Sequence, residues 1–121
     1  MDARLREGIR LFNDGRFFES HEILEQLYHD TEATNKPFLE GLIQLAAAFR
    51  LYNDFGSTEG PVRMIHQALI RFENYQPAFL EIKVKEMCEA MEDWAKQMET
   101  PNLAPPSIPR IRFQGFSFFH E

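Results

Sequence analysis

A chain of 121 residues, 44% hydrophobic and 26% charged, is long enough for one domain with a real core and too apolar for a disordered acidic tail. Its 19 acids against 13 bases leave a net charge of −6, and neither half carries a basic stripe, so nucleic acid and anionic membrane are not expected partners. A lone Cys88 excludes an intrachain disulfide framework, and the longest apolar run, residues 45–49, is far short of the roughly 20 that span a bilayer.

In chain order, Leu5, Ile9 and Phe12 at i, i+4 and i+7 predict a first helix over residues 2–14, stopped by Asn13-Asp14-Gly15. A second, over residues 16–30, sets Phe17, Leu24 and Tyr28 on one stripe with Phe18 beside it, and the short break between the two implies an antiparallel hairpin. Pro37 fits the first turn of a third helix, residues 37–53, which is apolar on every side and is therefore expected in the middle of a bundle. Gly41 and Ala46-Ala47-Ala48 would let its neighbours approach closely. Val62, Ile65, Leu69 and Phe72 predict a fourth helix over residues 61–74, and Val84, Met87, Met91, Trp94 and Met98 a fifth. Pro101, Pro105, Pro106 and Pro109 forbid further helix, and nothing before the tail alternates like a strand. The expected fold is all-α, a single bundle of five helices over residues 1–100. A Pro-rich linker and aromatic tail, residues 101–121, would pack on the same or a partner subunit.

One polar constellation stands out. Measured round the second helix from His21, Phe17, Leu24 and Tyr28 fall within about 60° and Glu25 at about 40°, which places His21 and Glu25 inside the apolar arc and Glu22 on its edge. A buried ionisable pair must be paired, hydrogen-bonded or bound to something. The third helix offers Glu40 and Gln44, also at i, i+4, and the fourth offers His66. A ligand pocket of His21, Glu25, Gln44 and Tyr28 is expected, with His21 and Glu25 able to hold a divalent metal such as Mn, Fe or Zn. If the site is catalytic, metal-assisted hydrolysis with Glu22 or Glu40 as general base is the expected chemistry. The alternative is a closed network that only fixes helix register, in a non-catalytic interaction module. His29 and His120 read as surface residues. No Gly-rich phosphate loop, nucleophile elbow or Cys-x-x-Cys is present.

Phe12-Asn13-x-Gly15-x-x-Phe18-Glu19-x-His21-Glu22-x-Leu24-Glu25, followed by Phe38-Leu39-Glu40-Gly41-Leu42-Ile43-Gln44 and Leu45 to Phe49, resembles the signature of domain of unknown function 309, a family of small bacterial proteins. The likeness extends through Gly56–Gly60 to Phe79-Leu80-x-Ile82. It implies a compact helical domain with a polar pocket centred on His and Glu, and it carries no assigned activity. The chain departs from the family pattern at Tyr28 and Glu40, where Trp and Gln are usual.

Twelve phenylalanines complete the picture. Eight, from Phe12 to Phe79, mostly fall on helical stripes or their connections; four lie between Phe113 and Phe119, beyond any helical period. Such a tail caps its own bundle or crosses to another chain, and a homodimer is expected. With no signal-peptide core after Met1, the expected compartment is the cytoplasm.

Overall fold

The hairpin that opens the chain shows how the sequence folds locally. Asp2 caps α1 (Ala3–Asn13), its carboxylate accepting from the Arg4 amide at 2.8 Å. The helix ends where Gly15 takes φ +79, a left-handed conformation that other residues resist, and the Arg16 amide returns to the Leu11 carbonyl at 2.9 Å. The chain then reverses into α2 (Phe17–Asp30). The two helices meet at a knot: a Cβ on Gly8 would lie 2.6 Å from a Leu24 methyl, and the fully buried Ser20 hydroxyl donates to the Gly8 carbonyl at 2.8 Å.

A computed structural model describes residues 1–100 and 104–115. A 3₁₀ turn (Ala33–Asn35) leads into α3 (Lys36–Phe55), followed by α4 (Glu59–Phe72), a second 3₁₀ turn (Glu73–Tyr75) and α5 (Val84–Glu99). Among the described residues the fold is an all-α bundle of five α-helices, and α3 is its axis: it packs on both α2 and α4, while α1 covers α2 and α5 covers α4. Phe49 of α3 meets Phe12 and Phe17 at ring separations of 5.6 and 5.9 Å and Trp94 at 4.9 Å, edge-on to Phe12 and Trp94. At the other end Phe38 packs edge-on against Phe72 and Phe79. No helix of the described residues is long and apolar enough to cross a membrane.

Two of the phenylalanines assigned to the core lie outside it. Phe18 is 46% exposed and Phe55 67% exposed, and together they flank the Arg50 guanidinium at 4.4 and 5.7 Å. No residue of α3 after Phe49 is buried, so its C-terminal turns meet solvent.

Residues 104–115 return to the bundle of their own chain. Phe79 and Ile82 close a tight turn in which Leu80 and Glu81 take φ 48 and φ 67, and Ile82 forms an antiparallel bridge with Phe113. The Lys83 amide donates to the Arg112 carbonyl at 2.9 Å and the Gln114 amide to the Glu81 carbonyl at 2.7 Å. Ile111, only 2% exposed, joins the main core, whereas Arg110 and Arg112 are exposed, the alternation of an extended segment. Phe116, Phe118 and Phe119, on which the expected docking segment and homodimer chiefly rest, lie outside the described residues.

Asn13 clasps this segment. Its amide donates to the Ile111 carbonyl at 2.9 Å and its oxygen accepts from the Ile111 amide at 2.8 Å. In Asn13→Ala both backbone groups lose their partner, so a destabilisation of about 2 kcal/mol is expected. Hydrogen exchange at the Ile111 amide should rise while that in the centre of α3 holds; unchanged exchange at Ile111 would show that the clasp does not hold the segment.

Candidate functional site

The polar residues of α2, α3 and α4 converge on a solvent-open cleft of about 380 Å³, lined by Glu25, Tyr28, His29, Glu40, Ile43, Gln44 and Arg71. On α3 the i, i+4 pair Glu40 and Gln44 lies on the flank left over once Leu39, Leu42, Leu45 and Ala46 enter the core. On α4, Gln67 and Arg71 repeat that spacing and face them. The Tyr28 hydroxyl donates to Glu40 Oε1 at 2.8 Å, Arg71 Nη1 lies 3.2 Å from Glu40 Oε2, and Arg71 Nε donates to Gln44 Oε1 at 3.4 Å. Gln44 Nε2 donates in turn to Gln67 Oε1 at 2.6 Å. Lys36 Nζ sits 4.2 Å over the Tyr28 ring and donates to the Tyr28 carbonyl.

The electrostatics follow from these contacts. Arg71 balances Glu40, and donation to that carboxylate, with some burial, holds the Tyr28 phenol above its ordinary range, because ionisation would set a phenolate against the carboxylate. Among the described residues Glu25 has no Lys or Arg within 4.0 Å, and the His21 imidazole lies 3.7 Å from its carboxylate. The thiol of Cys88 is buried in α5, which pushes its pKa up to about 11 and leaves it a poor nucleophile.

The expected constellation is only partly assembled. Glu25, Tyr28, Glu40 and Gln44 do line one cleft. His21 and Glu25, however, do not enter the core: their side chains are 30% and 53% exposed. The buried face of α2 is Phe17, Ser20, Leu24 and Leu27, centred about 80° away from His21. Tyr28 lies at the His21 edge of that face, whereas Ser20 and Leu27 extend it the other way. Glu22 is exposed and does not line the cleft. His66 does not join it either: it faces Glu99 at 3.8 Å in a separate cavity between α4 and the end of α5. His29, read as a surface residue, is exposed but stands at the cleft's rim. Among the described residues no three His, Cys, Asp or Glu side chains come together as a metal site would need. Arg71 and Gln67 were not anticipated, although their i, i+4 spacing on the flank of α4 mirrors Glu40 and Gln44.

A family model described as a domain of unknown function (DUF309) matches residues 5–64, from the first turns of α1 into α4. The match takes in His21, Glu25, Glu40 and Gln44 but stops before Arg71 and before the Phe79–Ile82 turn, to which the likeness was expected to reach. No curated protein matches the chain. Over residues 5–64, then, the chain resembles the DUF309 family.

Proposed function

We propose that the protein is a binding module whose α2–α3–α4 cleft takes a small amine-bearing ligand. One observation carries this reading: three helices supply a polar wall held in place by its own hydrogen bonds, above Ile43 and Tyr28, while Glu25 at the rim has no Lys or Arg partner among the described residues. A wall ordered before the ligand arrives lowers the entropic cost of binding. The two carboxylates expected as general base are placed otherwise. Glu40 already accepts from Tyr28 and Arg71, and Glu22 faces away from the cleft. A divalent ion at this cleft would find His21 and Glu25, one helical turn apart, with no third such ligand beside them among the described residues, so dialysis against Mn, Zn or Fe is expected to leave substoichiometric metal.

Titration of labelled protein with putrescine, monitored by amide chemical shifts, tests the reading. Saturable shifts at Glu25, Tyr28 and Gln44 are expected, weakened about tenfold in Glu25→Gln. Absence of saturation, or equal shifts with acetate, would overturn it. A second reading, in which the network only fixes helix register, is favoured by the continuous run Tyr28–Glu40–Arg71–Gln44–Gln67. Tyr28 reports on that network. Its raised folded-state pKa contributes stability that is fully present below the phenol's ordinary value of 10 and lost as pH climbs through the raised one. Ultraviolet titration of wild type minus Tyr28→Phe should therefore show one tyrosine ionising above pH 10; ionisation at or below that value would break the link to Glu40.

A further inference from the structure

The linear sequence has no basic stripe, but the fold builds one. Segments around residues 6–10, 83 and 110–112 meet along an open groove of about 1070 Å³ that gathers five of the chain's 13 basic residues: Arg6, Arg10, Lys83, Arg110 and Arg112. The gathering is structural. The Asn13 clasp on Ile111, the Ile82–Phe113 bridge and the bond from the Lys83 amide to the Arg112 carbonyl fix all three segments against one another.

Two of the five cations are already answered. Arg10 pairs with Glu7 at 2.7 Å and Asp14 at 2.9 Å, and Arg112 faces Glu86 at 3.9 Å. Arg6, Lys83 and Arg110 have no carboxylate within 4.0 Å among the described residues. Arg110 donates only to the Asn13 carbonyl, at 3.3 Å, and Arg6 lies 5.4 Å over the Phe113 ring. Five cations against three carboxylates leave a local charge of +2 on a molecule of net charge −6. Uncompensated like charges cost free energy unless a counter-charge completes them, and a concave wall focuses their field on an anion. Guanidinium groups match phosphate oxygens in a fork geometry, and Phe113 offers an apolar face beside them.

We propose that this groove binds a small-molecule phosphate monoester, its dianion held by Arg6, Lys83 and Arg110 and its organic part resting against Phe113. Phenyl phosphate is the probe, titrated by calorimetry into the full chain at neutral pH, with inorganic phosphate, benzenesulfonate and a short single-stranded DNA as comparators. Saturable binding is expected, with amide chemical shifts in a parallel titration confined to the groove segments around Arg6, Asn13, Lys83 and residues 110–115, and at least about tenfold loss of affinity in Lys83→Gln/Arg110→Gln. Arg63→Gln, on a different cavity, should bind as wild type does. If the double variant fails to fold, Arg6→Gln and the shift map decide. No saturation at millimolar probe, or undiminished binding by the groove variants, overturns the proposal. Equal affinity for benzenesulfonate would remove the dianion, equal affinity for inorganic phosphate the ester, and tighter binding of the DNA would make the groove a polyanion surface instead.

Discussion

Replacing Phe49 by alanine is expected to lower stability by about 3–5 kcal/mol, a large share of the total for a domain of this size. Phe49 is fully buried at the point where α1, α2 and α5 all meet α3: its ring touches Phe12, Phe17 and Trp94. Truncation removes the transfer energy of the ring and leaves a void that its three aromatic neighbours cannot all collapse into. Phe49→Leu keeps most of the volume and should lose much less. The measurement is urea unfolding, with the midpoint shifting at constant slope. Phe55→Ala supplies the contrast: the same deletion at a 67% exposed site is expected to fall within about 0.5 kcal/mol of wild type. A loss below about 1 kcal/mol in Phe49→Ala would mean that the aromatic cluster is not the centre of the core.

The helices were legible because each signal is local. Gly15 stops α1, Pro37 fits the first turn of α3, and the apolar periods of α4 and α5 fall on their buried faces except at Leu69 and Met98, which are half-buried. Ser20 was the costly omission. A serine does not count as apolar, yet here its hydroxyl finds the Gly8 carbonyl and the side chain is fully buried, so the true face of α2 is centred on residues the hydrophobic pattern passed over. The candidate site shifted with it, from His21 towards Tyr28 and Glu40. Arg71 could not be weighed without knowing which flank of α4 meets α3. The turn at Leu80–Glu81 gave no warning either: positive φ at both residues favours Asn-Gly, and neither residue is of that kind. The basic groove is the purest case. Its cations come from three segments, 73 and 27 positions apart, and become one surface only through the bonds that return residues 110–114 to Asn13, Glu81 and Lys83.

Gly41→Ala ought to stabilise a helix by about 1 kcal/mol if propensity alone decided. Packing reverses the sign. A Cβ at Gly41 would lie 2.6 Å from both Cε1 and Cζ of Phe72, and that ring is fully buried and wedged edge-on against Phe38 at 5.4 Å, so it cannot swing clear. Overpacking of this kind is expected to leave Gly41→Ala about 2 kcal/mol less stable and Gly41→Val about 3 kcal/mol or more. Gly60→Ala controls for the backbone: its nearest neighbour, Ser57 Oγ, is 3.6 Å away, and a small change or a gain is expected. Phe72→Leu takes away the ring carbons that clash, so the double variant with Gly41→Ala should cost at least about 1 kcal/mol less than the two single losses added. Additive losses would show that α3 and α4 do not meet through this contact. The same variant tests how the fold holds the cleft. Glu40 and Arg71 are the chain neighbours of Gly41 and Phe72, and their 3.2 Å approach depends on the spacing that Gly41 permits. Forcing α3 and α4 apart should pull Arg71 off Glu40, and the tyrosine ionisation assigned to Tyr28 should move in Gly41→Ala even where the protein remains folded.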